Sequence, residues 1–236
     1  MTSTTTTGAG YSAEPGSLYA SLVSYWKLGE TSGTRADSVG NHDLTDENTV
    51  LYSTGGKFGN CADLEAGTSE YLERANASAA ALLGVTGNWT FSTWVKPETT
   101  ASGAKLVSVW PGMGSSNRAW MIDIKKTGDD YFWSGVVGGA MARATDTDTS
   151  NCTAGTWAHI ILQHNDGTDV KLKVNDETWI TTSYTDGIDA VNTDFRLGGR
   201  GTTFDGLIDE TAFWSKSLTD PECSWLYNGG YGFSLY

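Results

Sequence analysis

The stretch Trp89–Pro97 alternates without a break. Trp89, Phe91, Thr93 and Val95 fall on one side, and Thr90, Ser92, Trp94 and Lys96 on the other. A period of two is the signature of a strand, since a helix repeats every 3.6 residues. Pro97, which has no N–H to give a ladder, closes the run. The same period recurs along the chain. Leu22, Ser24, Trp26 and Leu28 alternate with Val23, Tyr25 and Lys27 in an opening strand, and further runs begin at Leu106, Trp120, Asp130, Thr156, Val170, Trp179, Phe195 and Phe204. Gly, Asn and Asp separate them. Asn165–Asp169 reads as a hairpin turn, because Asp-Gly accepts a positive φ. One helix carries start and stop signals: Pro221 suits the first helical position, Glu222 the positive end of the helix dipole, and Gly229 the stop, predicting a helix near residues 221–227. Many strands and a single late helix predict one all-β domain, residues 21–236, behind a polar arm, residues 1–20.

Charge narrows the partners. Fifteen Lys and Arg face 28 Asp and Glu, a net charge of −13, so a nucleic-acid phosphate backbone would be repelled. No apolar run approaches the ~20 residues of a membrane-spanning helix, so no membrane insertion is expected. Before Lys27 there is no basic start followed by an apolar stretch, so no secretory signal is expected, and the chain is expected to be made in the cytoplasm. Thr2–Gly16 is too poor in apolar surface to order alone. Cys61, Cys152 and Cys223 are odd in number and widely spaced, which reads as buried thiols or a contact between chains. His42, His159 and His164 are scattered and make no metal cluster.

Four blocks resemble the LamG-like jelly-roll family, sandwiches of the concanavalin A-like lectin/glucanase type. Leu22–Leu44 is similar to its opening strand and D-S-x-G-N loop, and Trp89–Pro97 to its F-T-I-S-x-W-V-K-P strand. Gly155–Asp176 is similar to its G-x-W-x-H-V strand and hairpin, and Phe204–Asn228 to its closing segment. The resemblance implies a two-sheet antiparallel jelly-roll β-sandwich with one short C-terminal helix. It also implies a structural Ca²⁺ held between the opening loop and the closing strand, where Asp37, Asn41, Asp209 and Glu210 stand here. Read from the residues alone, Asp37–Gly40 is equally an Asx turn, and Asp209 a satisfied half-buried carboxylate.

Glucanases of this fold carry a strand motif E-x-D-x-E, because retaining hydrolysis needs two carboxyls about 5–5.5 Å apart on one face. Here the alternation of Gly206–Phe213 sends Asp209 and Glu210 to opposite faces, so no enzyme is expected. Aromatic side chains are the stronger signal, since sugars stack on flat rings. Trp110 and Trp120 bracket a Gly-containing loop, Tyr131 and Trp133 share a face of the next strand, and Trp179 follows another turn. These five are candidates for contact with a glycan or with a protein partner, and the same residue types anchor both.

The functional expectation is a non-catalytic structural or adhesion module on the surface of a larger assembly. A virion decoration or appendage protein with glycan contact is one example, its partners being assembly subunits, surface glycans or further copies of the chain. A free-standing carbohydrate-binding module or lectin is the alternative, and a glycan hydrolase ranks third.

Overall fold

The structure, a computed structural model, describes residues 16–75, 82, 87–110, 119–138, 141–188, 191, 193–199 and 201–236. Five strands precede the central run: β1 Leu22–Trp26, β2 Thr45–Glu47, β3 Leu51–Ser53, β4 Cys61–Leu64 and β5 Tyr71–Arg74. The middle of the chain forms β6 Trp89–Pro97, β7 Lys105–Val109, β8 Trp120–Thr127, β9 Asp130–Val137 and β10 Ala142–Thr145. The last five are β11 Ala158–Asn165, β12 Asp169–Val174, β13 Ile180–Ser183, β14 Phe195–Leu197 and β15 Gly206–Trp214. Helical turn α1, Ser17–Ala20, precedes them, and helix α2, Asp220–Tyr227, follows. No helix among the described residues is long and apolar enough to cross a membrane.

The strands form two antiparallel sheets. The larger runs β13-β12-β11-β6-β15-β4-β3, with β1 also paired to β15, and the smaller runs β10-β9-β8-β7-β14-β5-β2. Their facing sides enclose the main core. Trp89 and Phe91 of β6 and Phe213 of β15 meet Trp120 of β8 with ring centroids 5.0, 5.3 and 5.9 Å apart, and Trp26 stacks on Phe195 at 5.3 Å. The alternation of β6 holds as read: Trp89, Phe91 and Val95 lie in this core, and Trp94 faces the other way. The Asn165–Asp169 hairpin also forms, with Gly167 at φ 66°. Gly206, at φ 138°, opens β15 where a Cβ would stand 2.3 Å from the Lys96 carbonyl oxygen, a crossing open to glycine alone.

The outer side of the larger sheet is covered as well. Leu18, Leu22, Tyr25, Ala212, Trp214 and Leu226 belong to a second buried cluster under α1, α2 and the C-terminal segment. Leu22 therefore does not share a side with Trp26. A register shift between Leu22 and Ser24 turns Leu22 outward, while Trp26 stays in the main core. The last four residues of the expected arm, Ser17–Ala20, pack on the domain, with Leu18 buried and its carbonyl accepting from Trp214 Nε1 at 3.0 Å. Residues 1–15 lie outside the described residues. All three cysteines are buried and unpaired, and burial pushes each thiol up to about 12.

Candidate functional site

The smaller sheet turns its second face away from the core, and its register aligns one residue per strand across six strands. Arg143 stands opposite Val136, Val136 opposite Met121, Met121 opposite Ser108, Ser108 opposite Arg196, and Arg196 opposite Glu73. Their neighbours along each strand, such as Val137, Ile122, Val107, Leu197 and Leu72, are core residues, so the pleat sends this row outward. Val136 and Met121 join Trp110 in a small separate apolar cluster that floors the row.

Charged groups flank that floor. On one side Arg143 donates from Nη1 to Asp123 Oδ1 at 2.7 Å and to Ser134 Oγ at 2.6 Å, and from Nη2 to Asp123 Oδ2 at 3.3 Å. On the other, Arg196 Nη2 lies 2.6 Å from Glu73 Oε2 and 3.2 Å from Asp194 Oδ2, with its guanidinium 4.4 Å above the Tyr71 ring. Burial pushes the Glu73 carboxyl above its ordinary value. Arg196 pulls it back, while Asp194 and Glu47 add to the rise. Burial likewise lowers the Lys105 ammonium, which donates to the Gly103 carbonyl at 2.7 Å.

Some polar atoms of these segments are left over. Ser108 Oγ, Thr193 Oγ1 and Arg196 Nε are buried with no hydrogen-bond partner, and Ser108 is 1% exposed. Such groups are uncommon in native interiors, because each forfeits its hydration without compensation. The middle of the row is closed to solvent, and what a polar ligand can reach is the half-buried charged groups at its two ends.

Of the five aromatic candidates, Trp110 alone joins this row's floor. Trp120 and Trp133 are fully buried in the main core, a correction to their reading as contact residues. They sit at the inward parity of β8 and β9, and their indole nitrogens donate inside the domain, to the Leu82 and Asn151 carbonyls at 3.3 and 2.8 Å. Tyr131 does share a face with Trp133, and that face is the interior, against which Tyr131 packs half-buried. Trp179 is half-buried beside the outer cluster of the larger sheet, with Nε1 2.5 Å from Asp220 Oδ1. The loop 111–118 lies outside the described residues. Ser108, Asp123, Arg143, Glu73 and Arg196 did not stand out in the sequence. Their only signal is a polar residue between two apolar ones, as in Val107–Val109, Ile122–Ile124 and Phe195–Leu197.

The acidic pair of β15 is placed differently from its sequence reading. Asp209 stands opposite Trp94 and Ala212 opposite Ser92, so Glu210 and Thr211 together oppose Thr93, a bulge with Glu210 at φ 48°. Thr211 turns inward to meet Thr93 Oγ1 at 2.7 Å, and both carboxylates emerge on the outer side of the larger sheet. They are nevertheless sealed in, 0% and 6% exposed. Asp209 Oδ2 accepts from the Lys57 and Phe58 amides at 2.6 and 3.1 Å, and Glu210 accepts from the Tyr25 hydroxyl. Burial raises Asp209 to about 6 and Glu210 to about 7. Carboxyls this enclosed present no nucleophile or acid to a substrate.

Nor do these residues fit a Ca²⁺ ion with Asp37 and Asn41. Asp37 accepts from the Tyr25, Val39 and His42 amides at 2.9, 3.0 and 3.2 Å. Burial works against its charge, yet such backbone donors hold it below its usual value. Gly40 lets the turn close, since a Cβ there would lie 2.8 Å from Asp37 Oδ2. The Asn41 carbonyl is bound by Arg74 Nη2 at 2.7 Å. Among the described residues, three acidic side chains bring an oxygen each within 4.8 Å of one another only at Asp63, Glu65 and Glu98.

Among curated proteins none matches this chain in sequence. Solved structures are similar in fold. Domain 4 of AbnA, a GH43 extracellular arabinanase from Geobacillus stearothermophilus solved with arabinotriose, is 20% identical with a TM-score of 0.63, over 86% of this chain and 97% of that one. The binding domain of Paraclostridial Mosquitocidal Protein 1 is 18% identical with a TM-score of 0.65, over 90% and 53%. The botulinum neurotoxin serotype D ligand binding domain, solved with N-acetylneuraminic acid, is 12% identical with a TM-score of 0.66, over 89% and 51%. This chain thus spans about half the length of the two toxin domains. The model of the concanavalin A-like lectin/glucanases superfamily matches residues 67–224, and the chain belongs to that family.

Proposed function

We propose that this protein is a non-catalytic glycan-binding module whose site is the outer row of the smaller sheet. The observation that carries the reading is the half-buried cluster of Tyr71, Glu73, Asp194 and Arg196 at one end of the row, a flat ring beside paired charges that solvent still reaches. Sugar hydroxyls can pair with such charged groups, and the Tyr71 ring supplies flat apolar surface beside them. The arabinotriose and N-acetylneuraminic acid held by two structures of similar fold support a carbohydrate ligand. Sealed carboxylates at Asp209 and Glu210 support a role without hydrolysis.

The test is a glycan array followed by calorimetry on the hits, with Tyr71→Ala and Arg196→Met as site variants. Binding that disappears in these variants, while their melting temperatures stay near that of the parent, supports the reading. Full binding in both overturns the site. The larger-assembly role goes with this reading as a second element, the arm Thr2–Gly16 tethering the module to subunits on the outside of a particle. Deleting residues 2–16 should then abolish incorporation into the assembly and leave glycan affinity unchanged.

A further inference from the structure

The outer side of the larger sheet hides a polar patch. Ser92 of β6, His159 of β11 and Glu210 of β15 are 2%, 1% and 6% exposed. Ser92 Oγ meets His159 Nε2 at 2.7 Å, and among the described residues His159 Nδ1 is buried with no hydrogen-bond partner. Burial, with Lys57 and Lys173 nearby, lowers this imidazole to about 3, so it is neutral. These three side chains and Tyr25 line a small cavity together with Phe233 and Leu235. A hydroxyl, an imidazole and a carboxyl thus sit under an apolar cover, a pairing that costs them hydration without full compensation.

That cover is lightly held. Residues 229–236 add no strand to either sheet, and of the eight only Gly232 and Leu235 are buried. Leu235 is therefore the one buried side chain that anchors the segment. Gly229, Gly230 and Gly232 all have positive φ, and Gly232 seats where a Cβ would stand 3.0 Å from Trp94 Nε1. Three glycines in eight residues raise the entropy that ordering must remove. The ties to the rest of the domain run through two phenols. The Leu235 amide donates to the Tyr25 hydroxyl at 3.1 Å and Ser234 Oγ meets it at 2.9 Å, while the Tyr19 hydroxyl donates to the Leu235 carbonyl at 2.8 Å. Few buried contacts and no ladder bonds are the features of a segment that opens without the whole fold.

We propose that residues 229–236 are a strap that opens separately from the sandwich, latched by the Tyr25 hydroxyl, and that its opening admits water and solutes to the Ser92–His159–Glu210 pocket. Tyr25 suits the latch because its hydroxyl also donates to Glu210, so one group joins the strap to the floor of the pocket. The strap lies on the larger sheet and stands apart from the glycan reading, whose site is on the smaller one.

The experiment is amide hydrogen exchange of the whole chain at one pH, read at Leu235 and at the most protected amides of β6. It compares the parent with Tyr25→Phe, which keeps the ring and loses the latch. Leu235 is expected to be at least about a hundredfold less protected than β6 in the parent, and at least about fivefold less again in the variant. Reaction of histidines with diethyl pyrocarbonate, mapped by peptide mass, reads the pocket. His159 should react at least about fivefold faster in Tyr25→Phe, while His164, stacked on Trp89, keeps its parent rate. Equal protection of Leu235 and β6 overturns the strap, and unchanged Leu235 protection in the variant overturns the latch. A His159 that stays as slow as His164 while Leu235 is freed overturns the access to the pocket. Where Tyr25→Phe fails to fold, Leu235→Ala, which withdraws the anchor and keeps the amide, takes its place with the same expectations.

Discussion

The Tyr25 hydroxyl donates to the Glu210 carboxylate across 185 residues of sequence, and so ties the first strand to the bulge in the last. The same hydroxyl accepts from the Leu235 amide at 3.1 Å and meets Ser234 Oγ at 2.9 Å, so the C-terminal segment closes over the bulge. One phenol thus holds three distant parts of the chain.

That arrangement makes stability depend on pH. Glu210 is raised by burial to about 7 from 4.5, and Asp209 to about 6 from 3.8. The folded state binds these protons more tightly than the unfolded chain. Their contribution is therefore complete below about pH 4 and is lost as pH rises to about 7. At about 1.4 kcal/mol per unit, Glu210 alone accounts for about 3 kcal/mol. Denaturant melts of Glu210→Gln from pH 4 to 8 should show a flatter profile than the parent and greater stability at pH 8. An unchanged slope would remove Glu210 as the cause.

Glu222 works in the opposite direction. Burial opposes its charge, but Lys216 Nζ at 2.5 Å, Ser17 Oγ at 2.5 Å and the Thr219 amide at 2.8 Å outweigh it and pull the carboxyl down to about 2. Its contribution is present above about pH 4.5 and is lost as pH falls toward 2. Glu222→Ala is expected to cost about 2 kcal/mol at pH 7, with the difference from the parent closing near pH 2. Urea unfolding at the two pH values reads it directly.

Gly206→Ala should be among the most damaging small substitutions. The new Cβ would meet the Lys96 carbonyl oxygen at 2.3 Å and the Glu98 amide at 2.7 Å, backbone atoms in and just past the central strand β6, at a φ that disfavours any side chain. A loss of about 3 kcal/mol is expected from strain and displacement together. A shift of the thermal midpoint under 2 °C would show that β15 yields more easily than its packing implies.

Ser108→Ala removes a buried hydroxyl that has no partner, so the melting temperature should stay level or rise slightly. Glycan affinity should not change, since that hydroxyl is closed to solvent. A clear fall in the thermal midpoint would show that the hydroxyl is paired in solution.

Sequence by itself determined the strands that carry the sandwich, the hairpin at Gly167 and the late helix, found at Asp220–Tyr227 and ending at Asn228 in the left-handed conformation. These follow from alternation, turn chemistry and the Pro221 and Glu222 start signals, all properties of neighbouring residues. The short strands β2 to β5 and β10 left too few alternating positions to be read. What tertiary structure decided was which side each residue takes. Gly206–Trp214 alternates evenly on paper, yet pairing with β6 sets two residues against Thr93 and turns Glu210 to the side of Asp209. A bulge is a mismatch in count between two strands, and β6 lies more than a hundred residues away from β15. The same holds for burial. Trp120 and Trp133 look like loop-side aromatics until the sheets close over them, while Ser108 and Arg196 become neighbours only because β7 and β14, distant in sequence, pair directly.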